Sequence, residues 1–544
     1  MLSRAAAVAS ALVSVVALLS CAGTSSVSSG KEQELVNRAI DSMGGAQALA
    51  SISTLVGRGA WKQWEPEQSE VPSGPMRFGN EATFELTQDR AARASRTDYV
   101  KSFAYPAPRT FTFSEIVTAD AGAVIGVDNN GLPASTVKSD PPVHAMSGVR
   151  LAATQREAGR TAVSSMLLAM RANPERVRAA PNLVAGGASL PAVTYDAPSG
   201  VQYTVAFDPD TGRPARVRTL DYDFVWGDVN YDVVFGDWRD TGPVRLPFLR
   251  RFELSSAAMG AIRVVTETQY SELRVNPEID RSRLQIPAAV AASAPRPASG
   301  NVPYQWAIRR PIIGTYMDSD DVRFDKSATQ SLRLQEVGPG VLQVQGGTHN
   351  NLVVEMSNYL VVFDAPVSDA QSLWVIDAAK QRFPGKPIRY VVMTHHHMDH
   401  SGGLRAFVAD GATVVVGQGA AQHYRTVLSA PWTRNPDLKA RDLSGAQIVE
   451  VADKYVLADG KREVIAYAME SPHAKSTLMG YIPDAKLGFV TDIWSPGPPL
   501  PAKPNPGLMS VVNAVKKANI QPERFAGGHG STADYASLAR LVGQ

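Results

Sequence analysis

The feature that most constrains this chain is a run of ten residues, 394–403, with the sequence Thr-His-His-His-Met-Asp-His-Ser-Gly-Gly. It follows the β-branched segment 388–393, which is predicted to be a buried strand. Four of the nine histidines in the 544-residue chain fall in this run. A hydrophobic core has no need of so many polar side chains together, whereas imidazoles and carboxylates at short spacing are typical of a metal site.

The geometry of an extended backbone predicts how these side chains are shared between ions. Residues two apart in a strand point to the same side, so His395 and His397 can converge on one ion. Asp399 and His400 can then face a second ion as the loop turns. The Gly-Gly pair at 402–403 is expected to allow a tight turn into a helix that begins near residue 404.

A His-x-His-x-Asp-His run after a strand, followed by Gly-Gly, resembles the metal-binding motif of the metallo-β-lactamase-fold hydrolases. The form Thr-His-His-His-x-Asp-His is especially similar to the glyoxalase II branch of that family. The resemblance implies three further ligands. His473 follows a predicted strand over 464–469, Asp492 ends a predicted strand over 487–491, and His529 lies in a glycine-walled turn before the last helix.

The resemblance implies a complete set of ligands for two ions. One ion would be held by His395, His397 and His473, the other by Asp399, His400 and His529, with Asp492 between them. Five imidazoles and two carboxylates without a thiolate favour two Zn²⁺ per chain, and Fe and Mn are also compatible with such donors. One β-lactamase subgroup has Cys where this chain has Asp492, so the chemistry of that subgroup is not expected.

The function implied by the resemblance is that of a dinuclear zinc hydrolase. A hydroxide that bridges the two ions would attack the carbonyl of an ester, lactone, thioester or amide, including a β-lactam. Asp399 would orient this nucleophile as well as bind metal. Glyoxalase II itself is disfavoured, because its glutathione thioester chemistry is cytoplasmic and no basic cluster follows residues 394–403, which we call the metal loop.

Two other functions remain open at this point. The first is an iron-dependent oxidoreductase of the same fold, because ligand types alone do not fix the metal. The second is a non-catalytic envelope protein that binds an apolar ligand or a partner and has a structural metal site, although structural zinc sites are usually rich in Cys.

The length of the chain predicts more than one domain. Residues 332–544 alternate strands and helices and have the length of one αββα sandwich, an α/β fold. Residues 32–287 are predicted to form a separate antiparallel β-rich domain, loosely similar to the half-barrels of lipoprotein carriers. One helix over 151–172 is expected to interrupt it, and residues 288–331, rich in Ala, Pro and Ser at their start, are expected to link the two domains.

Residues 1–21 have the pattern of an export signal. An uncharged Ala/Val/Leu-rich stretch, 5–19, follows Arg4 and is too short for a comfortable membrane span. It ends in Leu-Leu-Ser-Cys, which resembles a bacterial lipobox and contains the only cysteine of the chain, Cys21. We therefore expect an envelope protein, a periplasmic lipoprotein anchored through Cys21 with a flexible tether over 22–31. An ordinary cleaved signal is the alternative.

Charge and the remaining polar residues complete the sequence-based expectations. The net charge of +2 and the lack of a Lys/Arg cluster argue against nucleic acid as a partner, so a small-molecule substrate is expected. The oligomeric state is left open. His396 is expected to point away from the ions, and His144 to be a loop residue. The candidates for substrate contact are His349, Asn350, Asn351, His423, Tyr424, Lys475 and Trp494.

Overall fold

The structure is a computed structural model that describes residues 30–105, 108–128, 141–299, 331–434 and 442–543. The predicted export signal, most of the predicted tether and residues 300–330 of the predicted linker lie outside the described residues. In the part of the chain that is described, no helix is both long enough and apolar enough to cross a membrane.

A single antiparallel sheet of thirteen strands dominates the described residues of the N-terminal half, in the order β6-β5-β4-β3-β2-β1-β13-β12-β11-β10-β9-β8-β7. The strands are Thr54–Glu65 (β1), Arg77–Asp89 (β2), Ala94–Phe103 (β3), Arg109–Val117 (β4), Gly122–Gly126 (β5), Val143–Ala145 (β6), Val177–Ala185 (β7), Ala188–Asp196 (β8), Gln202–Phe207 (β9), Pro214–Asp223 (β10), Gly227–Thr241 (β11), Val244–Ser255 (β12) and Arg263–Val275 (β13). Strands that are neighbours in sequence pair with each other, except β6 and β7, which lie at opposite ends of the sheet. The first and last strands, β1 and β13, pair in the middle. The predicted antiparallel β-rich character of this half is confirmed.

Helices cover the sheet and bury their apolar side chains against it. They are Gly30–Ser42 (α1), Ala46–Ala50 (α2), Gly148–Thr161 (α3) and Val163–Ala172 (α4), and a further short helix, Ala288–Ala291 (α5), follows the last strand. Ile40 of α1 and Leu167 of α4 are fully buried in one cluster with Val205 and Tyr231 of the sheet. This burial of apolar area is what holds the helices on the sheet.

The prediction of one helix over 151–172 is wrong, because the segment breaks at Ala162, where φ is −79° and ψ is 48°. The two pieces bury different kinds of side chain. Arg160 of α3 is fully buried and pairs with Asp221 of β10 at 3.0 Å, whereas α4 buries mainly apolar residues such as Leu167. A change of direction at Ala162 lets each piece meet its own partners.

Two further sheets form the C-terminal half. The seven-stranded sheet has the order β14-β15-β16-β17-β18-β19-β20 and the six-stranded sheet the order β21-β22-β23-β24-β25-β26, counted over the described residues. The strands are Arg333–Gly338 (β14), Val341–Gln345 (β15), Leu352–Glu355 (β16), Leu360–Phe363 (β17), Ile388–Val392 (β18), Thr413–Gly417 (β19), Ile448–Val451 (β20), Lys454–Ala458 (β21), Glu463–Met469 (β22), Thr477–Ile482 (β23), Leu487–Val490 (β24), Arg524–Gly527 (β25) and Thr532–Asp534 (β26).

The two sheets pack face to face between two layers of helices. The helices are Asp369–Arg382 (α6), Met398–Ser401 (α7), Leu404–Ala409 (α8), Ala421–Leu428 (α9), Pro506–Ala518 (α10) and Tyr535–Gly543 (α11). Phe363 and Phe489 meet between the sheets with ring centres 5.4 Å apart. Phe407 of α8 is buried against the first sheet, and Val511 of α10 against the second. This layer order is the predicted αββα sandwich.

The loop between β1 and β2, residues 66–76, joins the two halves. The backbone N–H of Met398 donates to the Glu67 carbonyl at 3.2 Å, and that of Lys475 donates to the Glu70 carbonyl at 2.7 Å. Met398 also belongs to the buried apolar cluster of the N-terminal sheet. The metal loop found in the sequence therefore packs directly on the N-terminal sheet.

Candidate metal centre

All seven predicted ligands follow the ends of strands on one edge of the sandwich. The metal loop follows β18, and His473, Asp492 and His529 follow β22, β24 and β25 respectively. Their ligand atoms form two overlapping groups within 4.8 Å of one another, one of His395, His397, His473 and Asp492, and one of Asp399, His400 and Asp492. His529 belongs to a third group with His400 and His349. The structure thus brings all seven together, and their role as ligands stays a prediction.

The histidines present one ring nitrogen to the cluster while the protein holds the other. His397 donates from Nε2–H to the Ser69 carbonyl at 2.8 Å, so its Nδ1 lone pair faces the cluster. His529 Nδ1 lies 2.8 Å from the Thr348 carbonyl, and its Nε2 is 2.6 Å from Asp492 Oδ1. These tautomers are assigned from the carbonyl partners. Fixing the outer nitrogen in this way is how proteins aim imidazoles at a metal.

Asp364 holds the outer ring nitrogen of His400 in the same manner. Its Oδ2 is 3.0 Å from His400 Nδ1, and its two oxygens also accept from the backbone N–H and hydroxyl of Thr394 at 2.7 and 2.9 Å. Asp364 and Asp492 both have positive φ, 61° and 64°, a conformation uncommon outside glycine. Strain of this kind clusters at functional sites, where the surroundings hold it in place.

The donors present fit two metal ions. His395 Nε2 is buried without a hydrogen-bond partner of acceptable geometry, although it lies 3.1 Å from Asp492 Oδ2. A buried imidazole nitrogen left without such a bond costs free energy unless something else occupies it. Imidazole nitrogens and carboxylate oxygens, without a thiolate among the seven, are ligands that zinc accepts.

The charge states of the cluster also suit metal binding. Burial and the nearby His395 hold the pKa of His397 well below its usual value, so this imidazole keeps its lone pair. Burial opposes ionisation of Asp492, yet the adjoining His400 and His473 hold the pKa of Asp492 well below its usual range. Asp492 is therefore a carboxylate placed between imidazoles.

Glycines 402 and 403 are required for a reason different from the predicted one. Their φ angles are −60° and −101°, which any residue can adopt. A Cβ on Gly402 would lie 2.1 Å from the Val367 carbonyl oxygen, and one on Gly403 would lie 2.2 Å from Ser372 Oγ. The Gly-Gly pair thus permits close approach of the metal loop to the start of α6, not an unusual turn.

The N-terminal sheet supplies residues that the sequence reasoning missed. Gln68, which is 1% exposed, donates from Nε2 to Asp399 Oδ1 at 2.6 Å. Its Oε1 accepts the Tyr105 hydroxyl at 2.7 Å. The run 65–69 (Glu-Pro-Glu-Gln-Ser) is buried throughout despite its polarity. No periodicity or motif marks it in the sequence.

The other candidates fall in different places. His349 Nε2 lies 3.1 Å from Asp399 Oδ2, inside the cluster, while Asn350 and Asn351 are buried in contacts with backbone carbonyls. His396 points away from the cluster and contacts the Ser69 carbonyl at 3.0 Å. His423 contacts Ser73 Oγ at 2.9 Å behind the metal loop. The remaining candidates are Tyr424, buried and bonded to the His395 carbonyl, Trp494, buried against Phe525, and Lys475, exposed beside Glu70. The prediction that His144 is a loop residue is wrong, because His144 lies on β6 and pairs with Val124 of β5.

Comparisons with known proteins agree with this fold. Residues 286–536 match the family model of the metallo-beta-lactamase superfamily, from a point ahead of the predicted boundary at 332. A linear primary-alkylsulfatase from a Pseudomonas species is 35% identical over 86 residues, which are 16% of this chain and 13% of that protein. The match thus spans only a small part of the curated relative.

The matches to solved structures are more distant. The stereoselective inverting sec-alkylsulfatase Pisa1 from Pseudomonas sp. is 18% identical, with a TM-score of 0.30 over 45% of this chain and 44% of that one. A metallo-beta-lactamase from Pontibacter korlensis is 16% identical, with a TM-score of 0.30 over 39% of this chain and 97% of that one. The family match, the αββα layers and the clustered histidines lead to one conclusion: residues 286–536 of this chain are a domain of the metallo-beta-lactamase superfamily.

Proposed function

We propose that the chain is a hydrolase that uses two metal ions, Zn²⁺ in the first instance, held by the seven residues of the metal centre. The observation that carries this proposal is the way the imidazoles are aimed, since Ser69, Asp364 and Thr348 each hold the outer nitrogen of a histidine whose inner nitrogen faces the cluster. When bound, such ions polarise the scissile group and lower the pKa of water.

The residues of the chain have separable tasks in this reaction. Asp399 is held at Oδ1 by Gln68, so its Oδ2 is the atom that faces the cluster and can orient the attacking water. Burial opposes ionisation of Asp399, but the hydrogen bond from His349 and the nearby His400 hold its pKa well below the usual range. Asp399 is therefore present as the carboxylate, the form that accepts a proton.

Carbonyl compounds are the substrates that we propose first: esters, lactones, thioesters and amides, including β-lactams. Hydrolysis of sulfate esters is the second candidate, and the observation in its favour is the 86-residue match to a linear primary-alkylsulfatase. The two reactions release different products, a carboxylic acid in the first case and sulfate in the second. A product assay therefore separates them directly.

The proposal is tested with the purified chain lacking residues 1–21, assayed on aryl-ester, lactone, β-lactam, thioester and alkyl-sulfate panels with and without a chelator. We expect turnover that the chelator abolishes and that returned zinc restores, with two ions per chain by elemental analysis. His397→Ala should lose metal and activity together, whereas His144→Ala on β6 should keep both. Equal behaviour of the two variants would contradict the site assignment.

The cellular location is a separate proposal that is supported by residues 1–21 alone. The lipobox-like end of this segment supports anchoring through Cys21, the only cysteine of the chain. Labelling of the expressed chain with radioactive palmitate tests it. Incorporation that Cys21→Ser abolishes is the expected result, and incorporation that survives the substitution would overturn it.

A further inference from the structure

The metal centre opens to solvent on one side. The side chains of His473 and His529 are 19% and 16% exposed, whereas those of His400 and His395 are 0% and 1% exposed. A substrate must therefore approach from the side of His473 and His529. The residues that line this opening decide which substrates are bound.

Two residues of the N-terminal sheet flank His473 at this opening. Arg77, the first residue of β2, donates from Nη2 to the His473 carbonyl at 2.9 Å. Its guanidinium carbon lies 4.6 Å from the ring centre of Tyr105, which follows β3. The Tyr105 ring lies nearly parallel to that of His473, at 27° with centres 6.3 Å apart. Arg77 and Tyr105 together form one wall of the opening.

Among the described residues, Arg77 has no acidic partner. Its guanidinium donates to the His473 carbonyl, and no carboxylate in the part of the chain that the structure describes lies within 4.0 Å of it. Other cations nearby are paired, since Arg263 contacts Glu67 at 2.5 Å and Lys475 lies 3.4 Å from Glu70. A planar guanidinium with free N–H groups beside a cleft is suited to bind an oxyanion.

Tyr105 adds a surface without adding charge. Its hydroxyl is committed to Gln68. Its ring holds the guanidinium in place through a cation–π contact, which limits the rotamers of Arg77.

We propose that Arg77, supported by Tyr105, is an anion subsite that selects substrates carrying an oxyanion, either a carboxylate or a sulfate. The proposal rests on the proposed hydrolase function and names the substrate class of the same site. It also gives the N-terminal sheet a direct part in substrate recognition. Arg77 would act in binding, so its loss should raise KM more than it lowers kcat.

Two esters that differ only at the far end of the acyl chain provide the test. Mono-p-nitrophenyl glutarate has a terminal carboxylate where p-nitrophenyl valerate has a methyl group. The zinc-loaded wild-type chain should show a KM at least about tenfold lower for the glutarate ester than for the valerate ester. The reason is that a methyl group cannot accept the charged hydrogen bond that Arg77 donates to a carboxylate. Arg77→Ala should abolish this preference and Arg77→Lys should keep part of it.

Arg274→Ala is the matched control, because Arg274 lies on β13 of the same sheet, is half exposed and pairs with Glu272 at 3.1 Å. It should leave both KM values unchanged. The sulfate arm uses p-nitrophenyl sulfate, and a rise in its KM in Arg77→Ala would identify sulfate as an occupant of the subsite. An Arg77→Ala variant with unchanged KM values in both arms, or with equal changes for the charged and neutral esters, overturns the proposal.

Binding without turnover keeps the test independent of the hydrolase proposal. Calorimetric titration of the zinc-loaded chain should show glutarate binding at least about tenfold more tightly than acetate, because only glutarate has a second carboxylate for Arg77. Arg77→Ala should remove that difference at unchanged metal content. If no substrate of the five panels is hydrolysed, the proposed function fails, yet the glutarate preference still decides the role of Arg77. Equal affinity for the two ligands in the wild type refutes it.

Discussion

Gln68→Ala should weaken metal binding at a centre whose seven predicted ligands all lie at least 327 residues further along the chain. Gln68 is fully buried and donates to Asp399 Oδ1 at 2.6 Å. Its removal leaves a buried carboxylate oxygen without a donor, which costs about 1 to 3 kcal/mol. Because about 1.4 kcal/mol corresponds to a tenfold change in an equilibrium constant, we expect a loss of roughly 10- to 100-fold in affinity for the ion beside Asp399.

The assay is a competition for Zn²⁺ between the chain and a chromophoric chelator, which resolves the affinities of the two ions. Gln68→Met keeps the volume of the side chain but removes both hydrogen bonds, so it should weaken the same ion and separates hydrogen bonding from packing. Tyr105→Phe breaks only the outer bond of the chain Tyr105–Gln68–Asp399 and should have a smaller effect, about 0.5 to 1.5 kcal/mol.

Gln88→Ala is the control for these variants, because Gln88 is a glutamine of the same sheet, on β2, away from the metal centre. It should bind both ions like the wild type. If Gln68→Ala and Gln68→Met also bind both ions with wild-type affinity, the bond to Asp399 does not position that carboxylate and the reasoning is refuted.

Three further variants probe the centre and the junction between the halves. His529→Ala should retain about one ion per chain by elemental analysis, since it removes a ligand of one ion only, and retention of two ions would contradict the assignment. His423 is buried, and burial together with Arg263 lowers its pKa to about 3. The stability that depends on its neutral form is complete above the unfolded value of about 6.5 and declines as the pH falls below it, by about 2 kcal/mol at pH 5. Urea unfolding of His423→Asn at pH 7 and pH 5 should show a correspondingly smaller acid loss than the wild type, and equal losses would exclude His423 as the cause. Gly402→Ala should reduce thermal stability and metal content because its Cβ would lie 2.1 Å from the Val367 carbonyl oxygen, whereas Gly445→Ala, which has open space, should change neither.

The local part of the centre was predictable because strand geometry is local. Side chains two apart in an extended segment share a side, and His395 and His397 do converge in one group with His473 and Asp492. The β-branched strand before them, Ile388–Val392, was equally clear. The family resemblance then located His473, Asp492 and His529, each at a strand end.

The features that could not be predicted from the sequence depend on contacts between distant segments. Nothing in the residues around Gln68 indicates that a loop of the N-terminal sheet will pack on the metal loop, because such docking is decided by the shape of both halves. The break at Ala162 was missed for the same reason, since it follows from the burial of Arg160 against Asp221. Asp364 could have been found, because a carboxylate at the end of a strand beside β18 is well placed to meet a metal-binding histidine.

The bond from Gln68 to Asp399 joins residues 331 positions apart. We expect so large a loop to close late in folding, because its entropy must be offset by contacts that form only when both ends are already ordered. In a nascent chain that is still incomplete, and in a truncated chain, the carboxylate of Asp399 would therefore not be held by Gln68. Reactivity in this protein is consequently a property of the finished molecule, and two fragments cut between the sheet and the sandwich should recover it only by reassociating.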